Sequence, residues 1–202
     1  MKHTEQLPVV GIMGGICSGK TAVSEVFEKN GFFRIDADEI VHKLLDGSEI
    51  KNRLRQIFGG RIFIRDSELD RKALSDIVFE DGEKLKQLNS IIHPPVINVI
   101  KKRLSEAESP VVLDAALLVE VGLDRSLCSF LIFVDRPYRE RLKLAVDKRG
   151  WKPGELRRRE SRQLSPEAKK NRADLVIQNT GSMKKLEESV EKAIGYIMRV
   201  HN

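Results

Sequence analysis

One stretch of the sequence, residues 14–21, constrains the fold more than any other. It reads Gly14-Gly15-Ile16-Cys17-Ser18-Gly19-Lys20-Thr21, follows the apolar run 8–13, and precedes a helical pattern of apolar residues. The pattern G-x-x-x-x-G-K-[ST] between a strand and a helix is typical of a loop that binds phosphate groups. Its glycines allow backbone N–H groups to turn inward, and the helix N-terminus adds the positive end of a dipole. The sequence therefore predicts a nucleoside triphosphate site.

Within that site, each residue type has an expected task. We expect Lys20 to reach the β- and γ-phosphates and the Thr21 hydroxyl to serve Mg²⁺. The residues expected to bind ATP here are Gly14, Gly15, Ile16, Cys17, Ser18, Gly19, Lys20, Thr21 and Ala22.

The rest of the chain alternates short apolar runs with helical patterns. Strands are predicted at 8–13, 32–35, 110–114, 130–135 and 174–177, with helices between them. Two-residue hairpin signals are absent, which favours parallel strands. The predicted fold class is α/β, a P-loop NTPase-type parallel sheet flanked by helices.

Three regions are distinguished by their patterns. The nucleotide-binding core is predicted to comprise about 8–46, 108–138 and 173–202. Residues 47–107 are predicted to form a helical insertion, in which helix 81–92 ends before Pro94-Pro95 and another begins near Val96. Residues 139–172 have a helical pattern that Pro153-Gly154 interrupts, and they are expected to form a helical lid.

Charge and composition limit the class of function. Residues 135–172 carry 14 Lys and Arg against 6 Asp and Glu, a local charge of +8 in a chain of net charge +6. This block suits small anionic substrates, a solvated helix face or nucleic acid. Aromatic residues make up only 5% of the chain, so base stacking is weakly supported. No apolar run approaches the ~20 residues of a membrane span, and two cysteines without metal-ligand spacing favour a reducing compartment, by default the cytoplasm.

Acidic residues follow two of the predicted strands. Asp36 and Asp38 come at the end of the second, and Asp114 ends the third. Ligands of open parallel sheets lie at this edge, so Asp114 is a candidate magnesium ligand. The alternatives are a helix N-cap for Asp36 or Asp38 and a turn-forming role for Asp114.

Several further motifs are spread over nearly the whole chain. They are residues 10–20, residues 35–42 with Asp36-Ala37-Asp38, Leu69-Asp70-Arg71-Lys72-Ala73-Leu74, Ile92-His93-Pro94, residues 114–120 and residues 173–182. Together these motifs resemble one family, the dephospho-coenzyme A kinases.

The resemblance implies transfer of the ATP γ-phosphate, with Mg²⁺, to the ribose 3′-hydroxyl of dephospho-coenzyme A. It also implies that residues 47–107 bind the coenzyme. Asp38 would be the carboxylate near the acceptor hydroxyl, with Asp36 the weaker candidate. The other implied substrate contacts are Arg71, His93 and Leu117, and Asn179 would border the adenine. For Arg71 and His93 the alternatives are a helix-start arginine and a capping histidine.

The chain departs from the family pattern in ways that affect the site. Cys17 stands where the family usually has glycine. The lid usually carries an arginine one helical turn after the position of Arg141, and here that residue is Ala145. The catalytic lid arginine is therefore either Arg141 or Arg149.

Two other functions are compatible with the motifs. One is a kinase acting on another small alcohol or a nucleoside monophosphate, and the other is a nucleic-acid-dependent ATPase or regulatory module. The expected partners are ATP and dephospho-coenzyme A, with no nucleic acid, no membrane and no obligate protein partner.

Overall fold

The computed structural model describes residues 7–65, 68–115, 122 and 124–201. The chain divides into two compact units. One comprises residues up to 36 together with those from 106 onward, and the other comprises residues 37–105.

The elements are named here in chain order. They are β1 (Val9–Gly14), α1 (Lys20–Lys29), β2 (Phe33–Asp36), α2 (Ala37–Asp46), α3 (Ser48–Phe58), a 3-10 turn (Gly60–Ile62), β3 (Phe63–Ile64), β4 (Glu68–Leu69), α4 (Arg71–Glu80), α5 (Gly82–Ser105), β5 (Val111–Asp114), α6 (Asp124–Leu127), β6 (Phe130–Asp135), α7 (Tyr138–Arg149), α8 (Glu155–Glu160), α9 (Pro166–Lys170), β7 (Leu175–Gln178) and α10 (Met183–His201).

The first unit is built on a five-stranded sheet in the order β2-β5-β1-β6-β7. Every neighbouring pair in this sheet is parallel. The strands alternate with helices along the chain, which is what parallel pairing requires, because each crossover must return to the same end of the sheet. The fold class predicted from the sequence is confirmed.

One face of the sheet is covered by α1 and α10. The buried cluster on this face is Val10, Ile12, Val23, Val26, Phe27, Phe32, Val112, Ile132, Val134, Ile177, Leu186, Val190, Ala193 and Ile197. Strand residues alternate between faces, so Val10 and Ile12 point into this cluster while Met13 is buried on the other side. Burial of apolar side chains on both faces holds β1, and hence the loop that follows it, at the centre of the sheet.

The second unit is helical, with one short antiparallel pair. Helices α2, α3, α4 and α5 bury Ile40, Ile50, Leu54, Leu74 and Ile91 among other apolar side chains. The β3–β4 pair is antiparallel, which the sequence did not signal. Each of its strands is two residues long, too short to leave a period-two pattern.

One helix boundary predicted from the sequence is wrong. Helix α5 runs without a break over Gly82–Ser105 and contains Pro94 and Pro95. Each proline removes one backbone donor, which normally ends or kinks a helix. Here Ile92 and Val96, on either side of the prolines, are both buried, so packing of the helix outweighs the lost hydrogen bonds.

Among the described residues, no helix has the length and hydropathy needed to cross a membrane. In the same residues, no group of three or more His, Cys, Asp or Glu could hold a metal ion.

Candidate active site

The phosphate loop joins the end of β1 to the start of α1. Its turn is closed by the Ser18 N–H, which donates to the Gly15 carbonyl at 3.2 Å. The Lys20 ammonium folds back over the loop and donates to the carbonyls of Gly15 at 3.1 Å and Gly14 at 3.5 Å. Lys20 is half-buried, so its charge stands beside the loop and near solvent.

Two loop residues have left-handed backbone conformations. Gly19, which caps α1, has φ of 96°, a conformation that favours glycine. Cys17 has φ of 59°, although it carries a Cβ. A non-glycine residue in this region is strained, and such strain is commonly found at functional loops.

The loop after β7 is tied directly to the phosphate loop. The side-chain amide of Asn179 donates to the Ser18 carbonyl at 2.8 Å, and Asn179 is buried. Arg136, which directly follows β6, donates from Nε to the Asn179 carbonyl at 2.8 Å. A Cβ added to Gly19 would lie 2.1 Å from Nδ2 of Asn179. Asn179 therefore closes one side of the phosphate loop, beside the helix N-terminus.

Two carboxylates lie side by side at the carboxyl edge of the sheet. Asp36 and Asp114 are the last residues of β2 and β5 and are register partners. Asp114 is buried and accepts a hydrogen bond of 3.1 Å from the hydroxyl of Ser24 on α1. Asp36 is half-buried and pairs with Arg34 at 2.8 Å.

The electrostatics at Asp114 follow from this arrangement. Burial raises the pKa of the Asp114 carboxyl above its ordinary value of 3.8, and the neighbouring Asp36 carboxylate raises it further. The Lys20 ammonium and the hydrogen bond from Ser24 oppose this rise. Such a carboxylate gains from any additional positive charge placed beside it.

The residues around Asp114 fit a magnesium ion by their chemistry. Mg²⁺ is usually held by one or two carboxylates together with substrate phosphates, rather than by a protein cage. Asp114 ends β5, the strand paired with β1, and Thr21 directly follows Lys20 in the sequence. The Asp114 carboxylate and the Thr21 hydroxyl are oxygen ligands of the required type. Thr21 is exposed at the second position of α1.

The two candidate lid arginines have different surroundings. Arg141 is buried, and its guanidinium contacts the Ile16 carbonyl at 3.2 Å and the carboxylate of Glu160. Arg149 is exposed, and its guanidinium stacks over the Trp151 ring at 5.1 Å. Of the two, the structure brings Arg141 to the phosphate loop.

The remaining expected site residues belong to the helical unit, except one. Asp38 is exposed in the first turn of α2. Arg71 begins α4 and binds Nδ1 of His42 and, at 2.9 Å, the carboxylate of Asp46. His93 is half-buried within α5, and burial lowers its pKa. Leu117 lies outside the described residues.

Sequence reasoning did not single out four residues that contact site residues. Ser24 and Arg34 bind the two carboxylates, Arg136 holds Asn179, and Glu160 holds Arg141. The only local signal was for Glu160, an acidic residue inside the most basic segment of the chain.

Comparison with known proteins places this geometry in a family. The sequence model described as dephospho-CoA kinase matches residues 8–185. The chain belongs to the dephospho-CoA kinase family. Membership in that family, expected from the motifs, is thus confirmed.

Relatives with this description are similar over nearly their full lengths. A dephospho-CoA kinase of Carboxydothermus hydrogenoformans is 38% identical, with 91% of each chain covered. One of Corynebacterium glutamicum is 36% identical, covering 93% of this chain and 98% of the relative.

Solved structures agree on the fold. A Thermus thermophilus protein superposes with a TM-score of 0.81 at 31% identity, covering 95% of this chain and 98% of that one. A dephospho-CoA kinase from Campylobacter jejuni gives 0.63 at 25% identity over 95% and 98% of the two chains. Shikimate kinase from Acinetobacter baumannii, at 12% identity and a TM-score of 0.57 over 98% and 97%, shares the fold alone.

Proposed function

We propose that this protein transfers the γ-phosphate of ATP to the ribose 3′-hydroxyl of dephospho-coenzyme A, giving coenzyme A and ADP. The observation that carries the proposal is the phosphate loop with Lys20 beside the paired carboxylates Asp36 and Asp114, in a member of the dephospho-CoA kinase family. The relatives named above bear the name of this activity.

The phosphate loop supplies most of what phosphoryl transfer needs. The transition state spreads negative charge over the transferred group, so catalysis depends on positioning and on fixed positive charge. Loop N–H groups at the start of α1 and the Lys20 ammonium provide that charge at a defined place. Asn179 and Arg136 hold the loop in shape from the side of β7.

Thr21 and Asp114 would hold a magnesium ion that comes with ATP. When bound, the ion neutralises charge on the phosphates. The protein's part is to present the two oxygen donors, and Ser24 orients one of them by donating to Asp114.

Asp38 is proposed to orient the acceptor hydroxyl and accept its proton. It is exposed in the first turn of α2, which follows β2 without a gap in the chain. General base catalysis contributes about 10²–10⁴-fold. Asp36, which is paired with Arg34, is less available for this role.

The helical region is proposed to bind the coenzyme through Arg71 and His93, within the predicted limits 47–107. Arg71 is held in place by His42 and Asp46, which makes it an ordered cation suited to a phosphate of the substrate. The lowered pKa of His93 keeps its imidazole neutral at pH 7, able to donate or accept a hydrogen bond.

Between the lid arginines, we favour Arg141 as the one that meets the transferred phosphate. Its guanidinium lies against the Gly15–Ile16 backbone, whereas that of Arg149 lies on Trp151. The region 139–172 remains our proposed lid.

Neither Cys17 nor Cys128 forms a disulfide bond in the described part of the chain. This supports our proposal that the protein works in a reducing compartment, the cytoplasm.

The deciding experiment is an acceptor assay. Purified protein with Mg-ATP should release ADP in proportion to added dephospho-coenzyme A, and the product should carry a 3′-phosphate. A panel of other small alcohols and nucleoside monophosphates should give little turnover, and DNA or RNA should give no stimulation. If ATP binds but dephospho-coenzyme A does not increase ADP release, the proposed reaction is wrong.

A further inference from the structure

The protein holds the guanidinium of Arg141 by hydrogen bonds from Nε and Nη1, and the centroid of the Tyr138 ring lies 5.6 Å from its Cζ. The guanidinium donates from Nε to the Arg136 carbonyl at 3.0 Å and from Nη1 to the Ile16 carbonyl at 3.2 Å. Its third partner is the carboxylate of Glu160, which also binds Nη1. Among the described residues, Nη2 of Arg141 has no hydrogen-bond partner, so this nitrogen is available to a phosphate oxygen.

Glu160 connects the lid segment to the phosphate loop through a single oxygen. It is the last residue of α8, and its side chain is 15% exposed. The same Oε1 that binds Arg141 also accepts the backbone N–H of Ile16 at 3.3 Å. One carboxylate oxygen therefore joins α7, α8 and the loop that binds phosphate.

The pair lies directly on the loop backbone. A Cβ added to Gly15 would lie 2.7 Å from Nη1 of Arg141 and 3.1 Å from Oε1 of Glu160. There is no space for a side chain at position 15, so the guanidinium approaches as closely as a glycine allows.

We propose that Glu160 is a positioning residue that holds Arg141 against the Gly15–Ile16 segment, so that Nη2 meets the terminal phosphate of bound ATP. This inference rests on the proposed function, which makes ATP the phosphate donor. A carboxylate suits the task because it fixes a planar guanidinium by charge-assisted hydrogen bonds. Without it, two neutral carbonyls and the Tyr138 ring would orient Arg141.

The chain offers a matched control in the same helix. Glu155, the first residue of α8, pairs with Arg158 and Arg159 of that helix. Glu155→Gln and Glu160→Gln make the same change of charge and size in α8. Only the second removes an anion from Arg141.

The test compares binding of ATP and ADP, because only ATP carries the phosphate that Arg141 would meet. Titration with each Mg-nucleotide should show that Glu160→Gln weakens ATP binding about tenfold relative to ADP. Glu155→Gln should leave the ratio of the two affinities as in the wild type. In the acceptor assay, kcat should fall by about 10²-fold with little change in KM for the acceptor, since a 1 Å misplacement costs that much.

A second variant separates orientation from charge. Glu160→Asp keeps the charge but shortens the side chain, and it should also lower the ATP-to-ADP affinity ratio. In an Arg141→Lys background, Glu160→Gln should have little further effect, because the group that it positions has gone. Thermal unfolding checks that each variant is folded.

The outcomes distinguish this inference from the proposed function. If the wild type shows no acceptor-dependent ADP release, the proposed reaction is wrong. The affinities of the wild type and the Glu160 variants for ATP and ADP still test the role of Glu160 in that case. If Glu160→Gln and Glu160→Asp both keep the wild-type affinity ratio, or if ATP and ADP binding weaken equally, Glu160 does not position Arg141.

Discussion

The hydroxyl of Ser24 donates a hydrogen bond of 3.1 Å to the buried carboxylate of Asp114. This contact joins the first helix to the third strand of the large sheet in chain order, at the edge where Asp36 also ends its strand. It orients an acid whose ionised form is disfavoured by burial. The site thus keeps a carboxylate that is destabilised in its ionised form next to the phosphate loop, where we propose that a magnesium ion binds.

Asp114→Asn should separate stability from activity. Turnover should fall at least about tenfold, because the oxygen that we propose as a magnesium ligand is lost. Without nucleotide, the variant should unfold at a higher temperature than the wild type at neutral pH. Thermal unfolding and the acceptor assay measure the two effects.

The raised pKa of Asp114 determines how the stability difference between Asp114→Asn and the wild type changes with pH. The folded state binds the proton more tightly than the unfolded state, so wild-type stability is lost as pH rises from 3.8 through the folded pKa. The advantage of Asp114→Asn should therefore grow over that range and vanish below it.

Asp135 provides the opposite case: burial pushes its pKa up, but hydrogen bonds from Lys170 and Gln178 outweigh this and lower the pKa overall. Because asparagine does not titrate, Asp135→Asn should become less stable relative to the wild type as pH rises towards 3.8, and equal behaviour of the two variants would contradict the assignment.

Lys20→Ala should reduce kcat by about 10²-fold or more. The ammonium folds over the loop carbonyls of Gly14 and Gly15, and removing a fixed donor to the transition state costs this much. Steady-state kinetics with the acceptor measure the loss. Near-normal turnover would show that the loop does not hold the reacting phosphates.

Gly19→Ala should abolish nucleotide binding, whereas Gly31→Ala should not. Both glycines have positive φ, 96° and 87°, so each substitution strains the backbone by about 1–2 kcal/mol. Only at Gly19 would the new Cβ also meet Asn179, at 2.1 Å, while nothing lies within 4 Å at Gly31. Nucleotide titration of both variants, with urea unfolding, distinguishes steric damage at the site from backbone strain alone.

Cys17→Gly should stabilise the nucleotide-free protein by up to about 1 kcal/mol. Relief of a left-handed conformation at φ of 59° is partly offset by the flexibility that glycine adds to the unfolded chain. Arg65, with φ of 47°, is the control outside the phosphate loop. Arg65→Gly should give a similar gain in urea unfolding without changing ATP affinity, and a loss of stability in both variants would show that neither backbone is strained.

Asp38→Asn should lower kcat far more than it weakens ATP binding. A residue that accepts the acceptor's proton contributes about 10²–10⁴-fold to the rate and nothing to nucleotide affinity. Single-turnover kinetics and ATP titration measure the two separately. A loss of affinity with normal turnover of the bound complex would assign Asp38 to the nucleotide instead.

The sequence predicted the parts of the fold that local patterns determine. Strand β6 is apolar along most of its length, and the phosphate loop has fixed glycine spacing, so both were identified with their limits nearly correct. The continuous helix through Pro94 and Pro95 could not be predicted, because its stability comes from packing against residues distant in the sequence. The role of Glu160 could not be predicted for the same reason, because its contact with Ile16 joins residues 144 positions apart.

The bond from Asn179 to Ser18 has a consequence for how the protein matures. It links positions 161 residues apart in the sequence. During synthesis the phosphate loop is made well before its lateral support, which arrives only after strand β7. A nascent chain therefore has no brace from Asn179 on its phosphate loop until position 179 has been made, and termination before that position leaves the loop without this brace.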